Sequence, residues 1–181
     1  IVGEYLVMKI CFIFPAGFSG FARAGRHLLQ GLHQAGADLV VRTLQYDAPD
    51  PGSEFIPPDW MQKMMERPLE GINVVLQCTT ANIEAEPKPG VLNILYSFFE
   101  YDRVPPTWTQ KINQFHAIIV PCLANAQALD RSGVMIPILV MPTPTDASLY
   151  RKVYEPYPVA NVGDRTVFYN ICQLTPKKGI D

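Results

Sequence analysis

The chain has no uninterrupted apolar run of the ~18 residues that a transmembrane helix requires, and its N-terminus lacks the charged-then-apolar layout of a signal peptide. A membrane association is therefore not indicated, and the chain reads as soluble, globular and cytoplasmic. Charge is sparse as well: Asp, Glu, Lys and Arg make up 18% of the residues, the net charge is −2, and the basic residues are scattered. That pattern leaves no footprint for nucleic acid and no polybasic patch for a lipid surface. The three histidines, His27, His33 and His116, are isolated, without HxxxH or carboxylate spacing. They read as structural, and no metal is expected. The four cysteines, Cys11, Cys78, Cys122 and Cys172, form no CxxC pair and sit in or beside apolar runs. They read as reduced core residues. Ser19 has no visible histidine and acid partner, so a hydrolase triad is unsupported.

What is present is α/β patterning. With 181 residues, 48% of them hydrophobic, the chain can bury one sizeable domain with an appendage. Its organising stretch is Met8 to Leu32. Cys11 to Phe14 is an apolar run of the kind that forms a buried parallel strand, and it stops at Pro15. Gly17, Phe18, Ser19 and Gly20 follow, with two residues lacking a Cβ where backbone N–H groups can approach a ligand. From Phe21 the period becomes helical: Phe21, Ala24, Leu28, Leu29, Leu32 and Ala35 share one face, and Arg23, Arg26, His27 and Gln30 take the other. The helix N-terminus thus points at the glycine turn, where free amides and the helix dipole favour an anion, most often phosphate.

Further along, strand and helix alternate. Strands are expected at Asp38 to Leu44, Ile72 to Gln77, Val91 to Tyr96, Ala117 to Val120 and Ile136 to Met141. Helices are expected at Trp60 to Glu66, from Pro105-Pro106 through Trp108, Ile112 and Phe115, and at Asn125 to Arg131. The pattern predicts a doubly wound, mostly parallel Rossmann-like sheet with helices on both faces. Residues 1–7 read as upstream or appended sequence, 8–143 as this domain, and 144–165, rich in proline, as a linker. At 166–181 a new strand, Thr166 to Ile171, begins another α/β unit, so the chain is expected to be a fragment of a longer protein.

Taken together, the glycine turn, the stretch from Phe98 through Glu100, Asp102, Pro105 and Trp108 to Val120-Pro121-Cys122, the Ser132-Gly133-Val134 turn and the segment Cys172 to Asp181 resemble the N-terminal half of retaining GT-B glycosyltransferases of family four, the glycogen-synthase-like and sucrose-synthase-like group. The resemblance covers nearly all of Met8 to Asp181. The family's Val-Pro-Ser has Cys122 at its last position, and its Gly-Val-Asp is Pro144-Thr145-Asp146 here. Its Gly-Arg-Leu and Lys-Gly correspond to Cys172-Gln173-Leu174 and Lys178-Gly179, so Gln173 stands where the family has arginine. This departure weakens the case for a two-residue basic clamp on the donor diphosphate.

The resemblance implies transfer of a sugar from a nucleotide-diphosphate donor to a carbohydrate, glycan or other acceptor, with retention and with no cofactor beyond the nucleotide-sugar substrate. It places Gly17, Phe18, Ser19 and Gly20 as a donor-phosphate loop, Lys178 on the donor diphosphate, and Glu100, Asp102 and Trp108 on the acceptor side or in structural roles. The family's paired glutamates lie beyond Asp181, so the catalytic residues are unknown here and this stretch alone is expected to be inactive. Read only from the residues, Glu100 and Asp102 serve equally as caps of the helix near Pro106, and Trp108 as core. A non-catalytic sugar-binding or scaffold protein on the same fold is the alternative. A nicotinamide-dependent oxidoreductase fits poorly, because the first turn has GxxG spacing and Asp47 lies three residues past Leu44.

Overall fold

The computed structural model describes residues 8–17, 19–44, 56–81, 86–145 and 147–151, with 153, 155 and 163. Six strands form one sheet in the order β2-β1-β3-β4-β5-β6, every neighbouring pair parallel. The strands are β1 (Lys9–Pro15), β2 (Asp38–Leu44), β3 (Val74–Cys78), β4 (Leu92–Tyr96), β5 (Ala117–Val120) and β6 (Ile138–Val140). Between them run α1 (Gly20–Gln34), α2 (Asp59–Glu66), α3 (Pro106–Ile112) and α4 (Leu123–Arg131). The fold is therefore α/β with an all-parallel sheet, of the Rossmann-like, doubly wound kind. Parallel strands need both faces covered, and the alternation of side chains delivers that.

Ile10, Phe12 and Phe14 of β1 lie beside Leu39 and Val41, Leu76 and Cys78, and Ile94 and Tyr96 in one cluster with Leu28 and Leu29 of α1 and Met61 of α2. The alternate residues Leu95, Ile118 and Val120 gather Ile112, Phe115 and Leu129 on the other face, with α3 and α4. Each fully buried Phe or Leu of this kind contributes roughly 1.5–3 kcal/mol relative to exposure.

Local chemistry fixes the element ends. Pro15 is the last residue of β1 rather than the residue that stops it; it pairs with β2 only, beyond the last pairing with β3 at Ile13 and Gln77, so no N–H is missed on that side. The α1 helix ends before Gly36, which takes a left-handed φ of 76°. The expected helical stripe needs correction only at its C-terminal end: Ala22, Ala24, Gly25, Leu28 and Leu29 are buried, Phe21 and Leu32 are half-buried and packed against the first cluster, and Ala35 is an exposed cap. On the supposed polar side, Arg26 and His27 are half-buried and bonded to carbonyls. Phe115 is core but lies past the end of α3. The end of α2 is tied to the sheet by Arg42, which donates to Met65 O and Arg67 O, and by the Arg67–Asp38 ion pair at 2.6 Å.

The chain divides into two compact units, Ile1–Asp146 and Ala147–Asp181. Within the stretch expected to be a linker, Ala147–Tyr150 makes a turn of 3₁₀ helix. Residues 1–7 and the strand expected at 166–171 lie outside the described residues. No helix among the described residues is long and apolar enough to cross a membrane.

Candidate functional site

In an open parallel sheet, ligands gather outside the carboxyl ends of the strands where the strand order reverses. Here the chain leaves β1 for β2 on one side and then crosses to β3 on the other. The reversal lies between β1 and β3, and the first turn after β1 is Ala16, Gly17, Phe18 and Ser19. Gly17 has φ of 90°, a left-handed value that an L side chain adopts only under strain. Ser19 is the N-cap of α1; its Oγ accepts from the Ala22 N–H at 3.1 Å, and its carbonyl accepts from the Arg23 N–H. Part of the reading of Ser19 as a ligand donor is thus answered locally, since one lone pair of its oxygen is used by the helix. The N–H groups of Gly20 and Phe21 have no backbone partner among the described residues. Phe18 lies outside the described residues.

The electrostatics of this corner favour a negative ligand. The first turn of α1 holds no Asp or Glu, so the helix's own first turn leaves its positive end uncompensated. Arg23 is exposed one turn in, and Arg26 donates to Gly17 O at 2.5 Å, holding the turn in shape. Burial and then the neighbouring Arg23 charge push the Arg26 guanidinium below its ordinary value. Two cations therefore stand behind two open amides.

Aromatic rings wall the same rim. Phe21 stacks on Phe98, just past β4, with ring centroids 3.8 Å apart and planes within 10°. Tyr96 meets Phe98 edge-on, and its hydroxyl bonds the Thr143 hydroxyl at 2.7 Å. The His27 Nδ1 lies 3.1 Å from the Pro144 carbonyl; because a carbonyl only accepts, Nδ1 carries the proton. The strap from Met141 to Thr145 is thereby fixed against both β4 and α1. Ser97, between Tyr96 and Phe98, is fully buried, and its Oγ lacks a hydrogen-bond partner among the described residues.

The residues expected on the acceptor side sit further along this edge. Glu100 and Asp102 are exposed in the loop after β4. Neither caps α3: the N-cap is Pro105, without a side-chain bond, so the capping alternative is corrected. The Asp102 carbonyl accepts from Arg131 Nη2 at 3.0 Å. Trp108 is half-buried, packed against the second core cluster and edge-on to the exposed Tyr101 ring at 6.1 Å. It is both core and rim. Lys178 lies outside the described residues.

The thiols divide by burial. Cys11 and Cys78 are free and buried, as expected, but Cys122 is exposed, because it leaves the sheet as N-cap of α4 at the carboxyl end of β5. That corrects its reading as a core residue; Cys172 lies outside the described residues. Burial pushes the Cys78 thiol up to about 12 and raises Cys11 against the opposing charges of Arg42 and Lys88. Thiolate is the reactive form. A thiol reagent applied to the folded protein at neutral pH should label Cys122 and spare Cys11 and Cys78 until denaturant is added. Peptide mapping that finds Cys78 labelled as fast as Cys122 would contradict the buried placement.

Among the described residues no three His, Cys, Asp or Glu side chains converge as a metal site. Comparison of the chain with protein-family models, with curated proteins and with solved structures gave no match.

Proposed function

We propose that the chain is the acceptor-side half of a nucleotide-sugar-dependent glycosyltransferase, with the start of a donor-binding unit after Thr166. The observation that carries this reading is the turn at Gly17 to Gly20, which presents open amides from a 15-residue helix at the switch point of a parallel sheet. A breaking glycosyl–phosphate bond leaves negative charge on the diphosphate, and fixed amide dipoles in a closed cleft stabilise such charge without reorganising. The exposed carboxylates of Glu100 and Asp102 and the Tyr101–Trp108 pair suit the hydroxyl edges and C–H faces of a sugar acceptor. Lys178, carried over by resemblance alone, would meet the diphosphate from the other domain. A role as a sugar-binding scaffold shares the same rim and differs only in turnover.

The test is direct. Adding a nucleoside diphosphate to the isotopically labelled 181-residue chain should shift the amide resonances of Gly17, Ser19, Gly20 and Phe21 saturably. Affinity should be weak, in the millimolar range, because the opposing domain's contacts are missing. Amides that stay in place at saturating diphosphate, or shifts confined to other parts of the chain, would overturn the phosphate-loop assignment.

A further inference from the structure

At the opposite end of the sheet, the amino ends of β3, β4 and β5 enclose an open groove of about 720 Å³. Its walls come from the three turns that enter these strands: Asn73 before β3, Lys88 to Val91 before β4, and Gln114 and His116 before β5.

The hydrogen bonds of the walls explain what the groove has left to offer. The buried Asn93 ties the turns before β4 and β5 together. Its Oδ1 accepts from the Lys88 N–H at 2.7 Å, and its Nδ2 donates to Lys88 O and Val91 O at 2.8 Å each. Its backbone N–H donates to His116 Nδ1 at 3.0 Å, and its carbonyl accepts from the His116 N–H at 2.9 Å. Asn73 uses its Oδ1 on the Lys9 N–H at 2.9 Å and its carbonyl on the Leu92 N–H at 3.0 Å. The wall's acceptors are therefore largely turned on the wall itself.

Several side-chain donors remain, beside main-chain carbonyls of the turn before β4. Because His116 Nδ1 accepts a backbone N–H, the ring proton of the neutral imidazole sits on Nε2. To this are added the Lys88 ammonium, the Asn73 carboxamide N–H and the Gln114 amide, none of which has a side-chain partner among the described residues. Among the described residues no carboxylate lines the groove. Donors arriving from three separate turns suit a tetrahedral oxyanion with several acceptor oxygens better than a planar carboxylate with two. Ile72, Pro87 and Leu92 add apolar wall beside them.

We propose that this groove binds a phosphate group, held by Lys88, His116 Nε2–H and Asn73, with the apolar wall taking the organic part of a phosphate ester. The site is independent of the turn at Gly17 to Gly20 and lies at the other end of the strands.

The test uses the 181-residue chain, inorganic phosphate and phenyl phosphate at constant ionic strength, followed at the Asn73 and Gln114 side-chain amides and the His116 ring by NMR. Saturable shifts at these three residues are expected, with phenyl phosphate binding more tightly if the source is an ester and equally if it is the free ion. Lys88→Met keeps the stem and removes the charge. His116→Asn keeps an acceptor for the Asn93 N–H and removes the Nε2–H. Each should weaken binding about tenfold, as the loss of a charge-assisted or a well-aligned donor does, whereas Gly20→Val should leave these shifts unchanged. Absence of saturation in the millimolar range, or unchanged affinity in both Lys88→Met and His116→Asn with the fold intact by circular dichroism, would overturn the proposal.

Discussion

Replacing Gly25 by alanine should lower the melting temperature of the protein, while the same replacement at Gly31, six residues on in the same helix, should raise it. Both glycines lie inside α1, and in both places alanine gains about 1 kcal/mol of helix propensity. They differ in what a Cβ would meet. At Gly31 there is nothing within 4 Å; at Gly25 it would lie 2.8 Å from both Cβ and Cδ2 of Phe14 and 3.0 Å from its Cγ. The Phe14 Cβ is anchored to β1, an interior strand, and the ring is fully buried, so it has no free direction to yield. Overpacking of this kind costs about 1–3 kcal/mol, enough to outweigh propensity. Gly25→Val, with two further methyls and a stiff χ1, should lose more than Gly25→Ala. Thermal unfolding of the three variants reads the result, and each kcal/mol corresponds to a few degrees at this size. If Gly25→Ala stabilises the protein as Gly31→Ala does, α1 does not sit on β1 at the distance described.

The close approach at Gly25 also shows where sequence reasoning stops. A single glycine within a helical stripe looks the same whether it is merely tolerated or required, because the partner, Phe14, is set by the helix's landing on the sheet. Strands were easier. β5 falls on the apolar run Ala117–Val120, and β2 on Asp38–Leu44, where Leu39, Val40 and Val41 are buried and Arg42 and Thr43 are half-buried at the sheet's edge. The alternation of such runs with helical stripes was sufficient to indicate a doubly wound sheet, and the residues after β1 were legible as a turn because two glycines bracket a natural cap.

The rest of the rim was not legible. The stack of Phe21 on Phe98 and the tie from His27 to Pro144 join residues far apart in the chain, and neither leaves a local periodic trace. Cys122 was misread because the apolar run before it ends at Val120, and the residue two further on belongs to the next helix's cap. The groove at the amino ends leaves no periodic trace either: it depends on Asn93, a polar residue within a strand, whose hydrogen bonds join two separate turns.

On the proposed glycosyltransferase reading, the largest functional effect should come from Gly20→Val, measured as kcat/KM for sugar transfer. Gly20 is the first residue of α1, its φ is not left-handed, and a Cβ there meets nothing within 4 Å. The fold therefore tolerates valine, at the cost only of a β-branched residue in the first turn. A phosphate approaching the Gly20 and Phe21 amides would instead meet the branched methyls. Losing such a contact at a transition state commonly costs about 10²-fold or more in rate, so kcat/KM should fall by that order with the melting temperature nearly unchanged. Ser19→Ala behaves differently. It removes the N-cap bond to Ala22 and should cost about 1 kcal/mol of stability, with a smaller loss of rate, because the open amides survive. The contrast separates the two roles: Gly20→Val tests the ligand and Ser19→Ala tests the helix. Unaltered kcat/KM in Gly20→Val, with donor affinity also intact, would sink the assignment of this turn as a donor-phosphate loop and leave it as the start of a helix.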